Sequence, residues 1–203
     1  MATKRVRALE RAGTPEQIEK ALRKIVSHTN IELDSIFGIE YRNEIVHAGG
    51  LKAILRTMRE HHNSVTIQDL SCQALSNLAF ENDKMRLVVA QLGGISAILK
   101  AMSNHQQDEN LQWHAIQALW RLTLNDWVRD RMAKKGSADV IRQTMAAHPS
   151  SKENVQFWGE LALKHLKEPP SEIFLDHEGC EVPDWLIDFA MAILLLVFFL
   201  SLY

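Results

Sequence analysis

The side chains able to do chemistry in this 203-residue chain are plentiful, yet their spacing does not gather them into a reacting set. Nine histidines and two cysteines are the natural metal ligands. His61 and His62 are adjacent, so on a helix they point about 100° apart and do not converge on one ion. Cys72 and Cys180 are too few for a zinc signature or a disulfide framework. Cys72 lies in an apolar helical stretch and reads as a buried thiol. No nucleophile-plus-base motif and no phosphate-cradling glycine loop is present. No metal, no cofactor and no enzymatic activity are therefore expected. The chemistry left is recognition, and some residues do fall into register for it. Asp69, Gln73 and Asn77 are spaced by four and share one helix face. So do Trp113, Gln117 and Arg121, and then Phe157, Leu161 and His165. Aromatic, amide and basic groups in one row suit a protein-binding surface. Trp113 and Phe157 fit a core seam equally well. Asp69 also fits a capping partner of Thr66. Arg121 is expected at the surface, because arginine is rarely buried without a partner. Trp120 and Trp127 fall off this row and read as core or ridge packing.

The rows are repeats of one another. Gly49-Gly50-Leu51 matches Gly93-Gly94-Ile95 at a spacing of 44, and Ala74-Leu75 with Leu78 matches Ala118-Leu119 with Leu122 at the same spacing. A third copy starts at Gly136-Ser137-Ala138, 43 after Gly93. Met145 and His148 keep that spacing of 43, and one extra residue then enters near Ser150. Beyond it Phe157, Ala162, Leu163 and Leu166 follow Trp113, Ala118, Leu119 and Leu122 at 44. Such agreement over many positions is the mark of a stacked-repeat protein. Each unit reads as three helices. In the middle copy they are about Asp83 to Leu92, Ile95 to Met102 and Asn110 to Leu124. A glycine pair turns the chain between the first two. Capping signatures at Thr66 to Asp69 and Ser150 to Glu153 open the third helix of the outer units. His105 and His148 hold equivalent positions at a helix C-terminus, where a structural role is expected. No single unit can bury its own apolar stripe, so neighbours must stack.

Ahead of the repeats, Thr14-Pro15-Glu16-Gln17 starts a helix carrying Ile18, Leu22, Ile25 and Val26. A second helix is expected after a capping signature at Thr29 to Glu32. Residues 1–13 hold Lys4, Arg5, Arg7 and Arg11 and read as a basic, solvated end.

The Gly-Gly junction, the apolar second helix and the Ala-Leu-x-x-Leu core of the third helix resemble armadillo repeats over about Ile45 to Lys167. Ala74-Leu75-Ser76-Asn77-Leu78-Ala79 is close to that family's third-helix consensus. The resemblance implies an all-α, right-handed α-solenoid of about three armadillo-like repeats (47–168), with an N-terminal helical cap or degenerate repeat at 14–46. It also implies that the third helices line a concave groove. In peptide-binding armadillo proteins an asparagine there bonds the backbone of an extended peptide, and a tryptophan four residues earlier packs on its side chains. Here the asparagine position holds Asn77, Arg121 and His165, and the tryptophan position holds Gln73, Gln117 and Leu161. The resemblance thus implies a groove without the pattern that reads nuclear-import cargo.

Charge is divided sharply. Up to Lys167 the chain carries 23 basic and 18 acidic residues, a net +5. Glu168 to Tyr203 carries 7 acidic residues and no Lys or Arg, a net −7. Pro169-Pro170 stops the last helix, and 169–184 reads as an acidic linker. That linker could fold back over Arg121 and His165, although simple solvation explains it as well. The apolar run Trp185–Tyr203 has 19 residues, and Asp188 is its single charge. As a helix it reaches roughly 28 Å, near a bilayer core of about 30 Å. With Trp185 and Tyr203 at its ends it resembles a transmembrane tail anchor. The expectation is an adaptor or scaffold that binds a protein or extended peptide through Asp69, Gln73, Asn77, Trp113, Gln117, Arg121, Phe157 and His165. It would face the cytosol from the endoplasmic reticulum or the mitochondrial outer membrane, and no nucleic acid is expected. The rivals are a soluble subunit of an obligate complex, with the C-terminal helix buried in its partner, and an exchange factor for a GTPase.

Overall fold

The structure is a computed structural model that describes residues 1–29, 36–80 and 82–167, with the backbone alone at 36–39. Every regular element among these residues is helical. The acidic linker and the expected tail anchor, 168–203, lie outside the described residues, as does most of the Thr29–Glu32 signature. Thr29 itself closes a helix, its hydroxyl donating back to the Ile25 and Val26 carbonyls at 2.9 and 3.2 Å.

Two helices come first, α1 (Ala2–Glu10) and α2 (Pro15–Thr29). Three units of three come next. The first holds α3 (Ile36–His47), α4 (Gly50–Glu60) and α5 (Val65–Ala79). The second holds α6 (Asp83–Gln91), α7 (Gly94–Asn104) and α8 (Glu109–Thr123). The third holds α9 (Asp126–Lys134), α10 (Ser137–Ala147) and α11 (Phe157–Lys167). The third helices stack in a row, α5 against α8 and α8 against α11, and α2 continues the row on the other side of α5. The second helices form a parallel row, α4–α7–α10, which α1 extends. So α1 and α2 are a unit without its first helix. The basic segment expected to be solvated is the helix α1, with Ala2, Val6 and Leu9 buried. Helix α3 ends at the Gly49 turn as α6 ends at the Gly93 turn, so a unit boundary falls ahead of residue 36.

The glycine pairs divide two tasks. Gly93 has φ +87°, a left-handed conformation that costs other residues about 1 kcal/mol or more. Gly94 sits where a Cβ would lie 2.7 Å from the Val89 carbonyl oxygen, so only hydrogen fits. Gly49-Gly50 repeats both features. At the third turn Gly136 keeps the positive φ, but the buried Ser137 takes the second place.

A second repeating device holds each unit closed. Gln68 Nε2 donates to the Met58 and His61 carbonyls at 2.9 and 3.0 Å. Gln112 does the same to Met102 and His105, both at 2.9 Å, and Gln156 to Met145 and His148 at 2.8 and 2.9 Å. Each amide satisfies carbonyls at the C-terminal end of a second helix, which would otherwise be orphaned. His105 and His148, as their spacing suggested, stand at those helix ends. Their Nε2 atoms reach the preceding unit's turn, at the His62 and Gln106 carbonyls, both at 2.8 Å.

Caps refine the boundaries. Thr14 accepts from Gln17 N–H, and Gln17 Oε1 accepts from Gly13 N–H. The third helices are capped by Ser64, Asp108 and Ser151, not by Thr66 or Ser150. The extra residue near Ser150 has a local form. Lys152–Gln156 is a π-helical turn, the geometry that absorbs one inserted residue and keeps α11 in register. That is why the spacing returns from 43 to 44 before Phe157.

Among the described residues no single helix is long and apolar enough to cross a membrane. Helices α6 and α7 pass such a test only together and are bent by 69°. Their apolar faces, including Val89, Ile95, Ile98 and Met102, are buried in the stack.

Candidate protein-binding face

The inner row α2–α5–α8–α11 carries every residue singled out for binding, and the structure sorts them by depth. Asp69 and Gln73 on α5 are half-buried. Asp69 Oδ2 accepts from Gln73 Nε2 at 3.0 Å, and Asp69 Oδ1 meets His114 Nδ1 on α8 at 2.5 Å. His114 in turn stacks on Trp113, with ring centroids 4.4 Å apart. One turn further along, Ser76 Oγ donates to Gln117 Oε1 at 3.3 Å. The next rung lies below the surface. Asn77 Nδ2 donates to Thr29 Oγ1 at 3.3 Å, and Asn77 Oδ1 accepts from Arg121 Nη1 at 3.5 Å. A polar ladder thus joins α2, α5 and α8.

Arg121 corrects an expectation. It is only 4% exposed, although arginine was expected at the surface. Its guanidinium carbon lies 5.1 Å from the centroid of the Phe80 ring, and Arg42 approaches the same ring at 5.8 Å. Burial, and then the charges of Arg42 and Arg86, lower the Arg121 pKa to about 10. Asn77 is 8% exposed, and its amide is committed to Thr29 and Arg121. As placed, it offers little to a peptide backbone.

Between α8 and α11 the character changes. Trp120 packs against Trp158 at 4.7 Å, and Phe157 meets the edge of Trp158 at 5.3 Å. Phe157 is 54% exposed, so it is no core residue. Trp113, Trp120 and Trp158 are half-buried. Leu161 and His165 continue α11 as half-buried positions. Sequence reasoning passed over His114, Trp158, Phe80 and Arg42. His114 and Trp158 stand 44 apart, one residue beyond Trp113 and Phe157, and that signal could have marked them as the side chains facing the preceding helix.

Among the described residues no group of His, Cys, Asp and Glu could hold a metal. The Cys72 thiol is fully buried, and its pKa is pushed up by that burial and then by Asp69. A raised pKa suppresses the thiolate needed for nucleophilic attack.

The chain matches no described family and no curated protein. Solved structures do resemble it. An engineered protein from the Northeast Structural Genomics Consortium is 20% identical, with a TM-score of 0.68 over 84% of this chain and 64% of that one. A designed armadillo repeat protein in complex with the peptide (KR)4 is 17% identical, with a TM-score of 0.67 over 81% of this chain and 64% of that one. Computationally designed armadillo repeat proteins for modular peptide recognition give 17% and 0.67, over 81% and 63%. The described fold is an armadillo-like solenoid. The chain spans just under two thirds of the length of these structures, and at such identities the likeness speaks for the fold alone.

Proposed function

We propose that this protein is an interaction scaffold that takes up an extended segment of a partner protein along α2–α5–α8–α11. The observation that carries the reading is the aromatic surface of α8 and α11, where Phe157 stands 54% exposed beside half-buried Trp158, Trp120 and Trp113. Apolar area kept in water on the inner row is costly unless something covers it. Two of the similar solved structures are of designed armadillo repeat proteins for peptides, which agrees with this reading. Four helices about 9 Å apart span about 27 Å, enough for roughly eight residues of extended chain.

Trp185–Tyr203 completes the proposal as a membrane anchor, on the strength of its length and near-absence of charge. The scaffold would then face the cytosol from the endoplasmic reticulum or the mitochondrial outer membrane. Two measurements test these parts separately. A photo-crosslinking residue at position 157 should trap a partner in cells, while one at the exposed Asp139 on α10 should not; equal capture at both positions counts against the inner row. The full chain should stay with membranes after carbonate extraction, and release into the soluble fraction refutes the anchor.

A further inference from the structure

Three arginines from three helices and two units converge beneath the inner row. Arg42 comes from α3, Arg86 from α6 and Arg121 from α8. Arg42 and Arg121 flank the half-buried Phe80 ring, and Arg121 feels the charges of both others. Arg42 is 5% exposed and Arg121 4%. Arg86 keeps 11% of its side chain in contact with solvent. Their hydrogen bonding is incomplete. Arg42 Nη1, Arg86 Nε and Arg121 Nε are buried with no acceptor. Arg121 has the Asn77 amide, 3.5 Å away, and Arg86 has one carboxylate oxygen of Asp83 at 3.4 Å. Both oxygens of that mostly exposed carboxylate also accept from Asn125 at 2.9 Å. Among the described residues, then, Arg86 alone of the three cations meets a carboxylate, the rim residue Asp83, while Arg42 and Arg121 meet the Phe80 ring and, for Arg121, the Asn77 amide. Glu81, beside Phe80 in the chain, lies outside the described residues.

Such an arrangement is unfavourable on its own terms. A buried guanidinium wants a paired, hydrogen-bonded anion, and neighbouring like charges repel. The ring face of Phe80 and the C-terminal end of α5 offset part of this cost, but neither supplies acceptors for the three vacant N–H groups. A planar oxyanion would, because guanidinium forks match carboxylate geometry.

We propose that the Arg42–Arg86–Arg121 cluster is a carboxylate site that reads an acidic residue of the partner peptide. This rests on the scaffold reading above. The continuity of Arg121 with the groove row favours a peptide side chain over a free ion, since Arg121 lies four residues beyond Gln117 on the same helix face. The partner segment therefore carries an acidic residue over the α5–α8 junction and apolar residues toward Phe157 and Trp158. Like charge disfavours a cationic side chain at the arginine cluster itself.

The test uses the full chain in detergent and three labelled, capped eight-residue peptides read by fluorescence anisotropy. One has two glutamates at one end and leucine and phenylalanine at the other; the second has glutamine, and the third lysine, in place of glutamate. The glutamate peptide should bind about tenfold more tightly than the glutamine peptide at low salt, and the lysine peptide most weakly. Arg86→Gln and Arg121→Gln should each abolish that discrimination, whereas Phe157→Ser should weaken all three peptides alike. If Arg121→Gln fails to fold by circular dichroism, the more exposed Arg86→Gln carries the test. Equal binding of the three peptides, or discrimination that survives in Arg86→Gln, overturns the carboxylate site and leaves the scaffold. Failure of all three peptides to bind overturns both. Inorganic phosphate is the control probe: stabilisation by phosphate without peptide discrimination assigns the cluster to a free oxyanion and overturns the peptide site. Tighter peptide binding after deletion of residues 168–184, or in Glu81→Gln, assigns it to the chain's own carboxylates and overturns the partner assignment.

Discussion

The two junctions of α8 are built from equivalent positions and opposite chemistry. Toward α5, His114 meets Asp69 and Gln73, Gln117 meets Ser76, and Arg121 meets Asn77. Toward α11, the counterpart of His114 is Trp158, and it meets Trp120 instead. The backbone repeat is the same, so the rungs are free to differ. Hydrogen bonds are directional and fix how α5 and α8 align. Aromatic contacts tolerate sliding and leave apolar area at the surface. A partner lying across both junctions would be read by charge at one and covered by apolar contact at the other.

The comparison is broken outright by removing what both junctions share. Leu119 is fully buried in α8, between the two. Leu119→Asp should abolish cooperative thermal unfolding, because an unpaired buried charge costs several kcal/mol. A wild-type melting curve would place Leu119 outside the core. Next in size is the clamp behind the same helix. Gln112→Ala leaves the Met102 and His105 carbonyls without their side-chain donor and Thr144 without its acceptor. It should cost about 2–4 kcal/mol in urea unfolding with little change in slope. The partly buried Gln156→Ala should cost less, and equal losses would argue against burial as the cause.

Much of this architecture was legible from the chain because repeats expose themselves by spacing. The glycine turns, the third-helix core and the one-residue insertion were all readable as positions. The glutamine clamp was hidden in plain view: Gln68, Gln112 and Gln156 also recur every 44 residues. Glutamine suits a helix surface as readily as a buried cap, so its type alone drew no notice. Arg121 was misjudged for a related reason. Its burial depends on Arg42 from α3 and on Asn77 and Phe80 from α5 and its C-terminal cap, and no local pattern announces such convergence. The segment read as a basic end fared similarly. Ala2, Val6 and Leu9 are spaced for one helix face, but the intervening Lys4, Arg5 and Arg7 drew attention away from them. The eight residues singled out for binding do share the inner row, yet sequence could not tell that Asn77 and Arg121 lie beneath it.

Smaller effects should separate the two junctions by mechanism. A double-mutant cycle on Trp120 and Trp158, each changed to alanine, should give a coupling of about 0.5–1.5 kcal/mol that added salt leaves unchanged. A cycle on Asp69 and His114, run at about pH 5 so that an ordinary imidazole is protonated, should give a coupling of similar size that weakens as salt is raised. If both respond to salt alike, the contrast between a polar and an aromatic junction is wrong.

The smallest expected effect is a pH signature confined to the polar side. Burial, with Arg42 and Arg86 nearby, lowers the pKa of Arg121 to about 10, well below that of a solvated arginine. The unfolded chain therefore holds that proton to higher pH than the folded one. Above pH 10 the unfolded state binds more protons than the folded one, so this group's contribution to stability rises with pH. Below pH 10 the penalty is present in full. Arg121→Met removes the charge and, at every pH, the Asn77 contact. The stability of the variant relative to wild type should hence be highest near neutrality and fall by about 1 kcal/mol as pH rises from about 8 to 11. Tyr41 and Cys72 also titrate at high pH, but they are common to both proteins and cancel in the difference. Urea unfolding of the pair across this range decides it. A constant difference would mean that the Arg121 charge carries no penalty, and the polar junction would then be as indifferent to pH as the aromatic one.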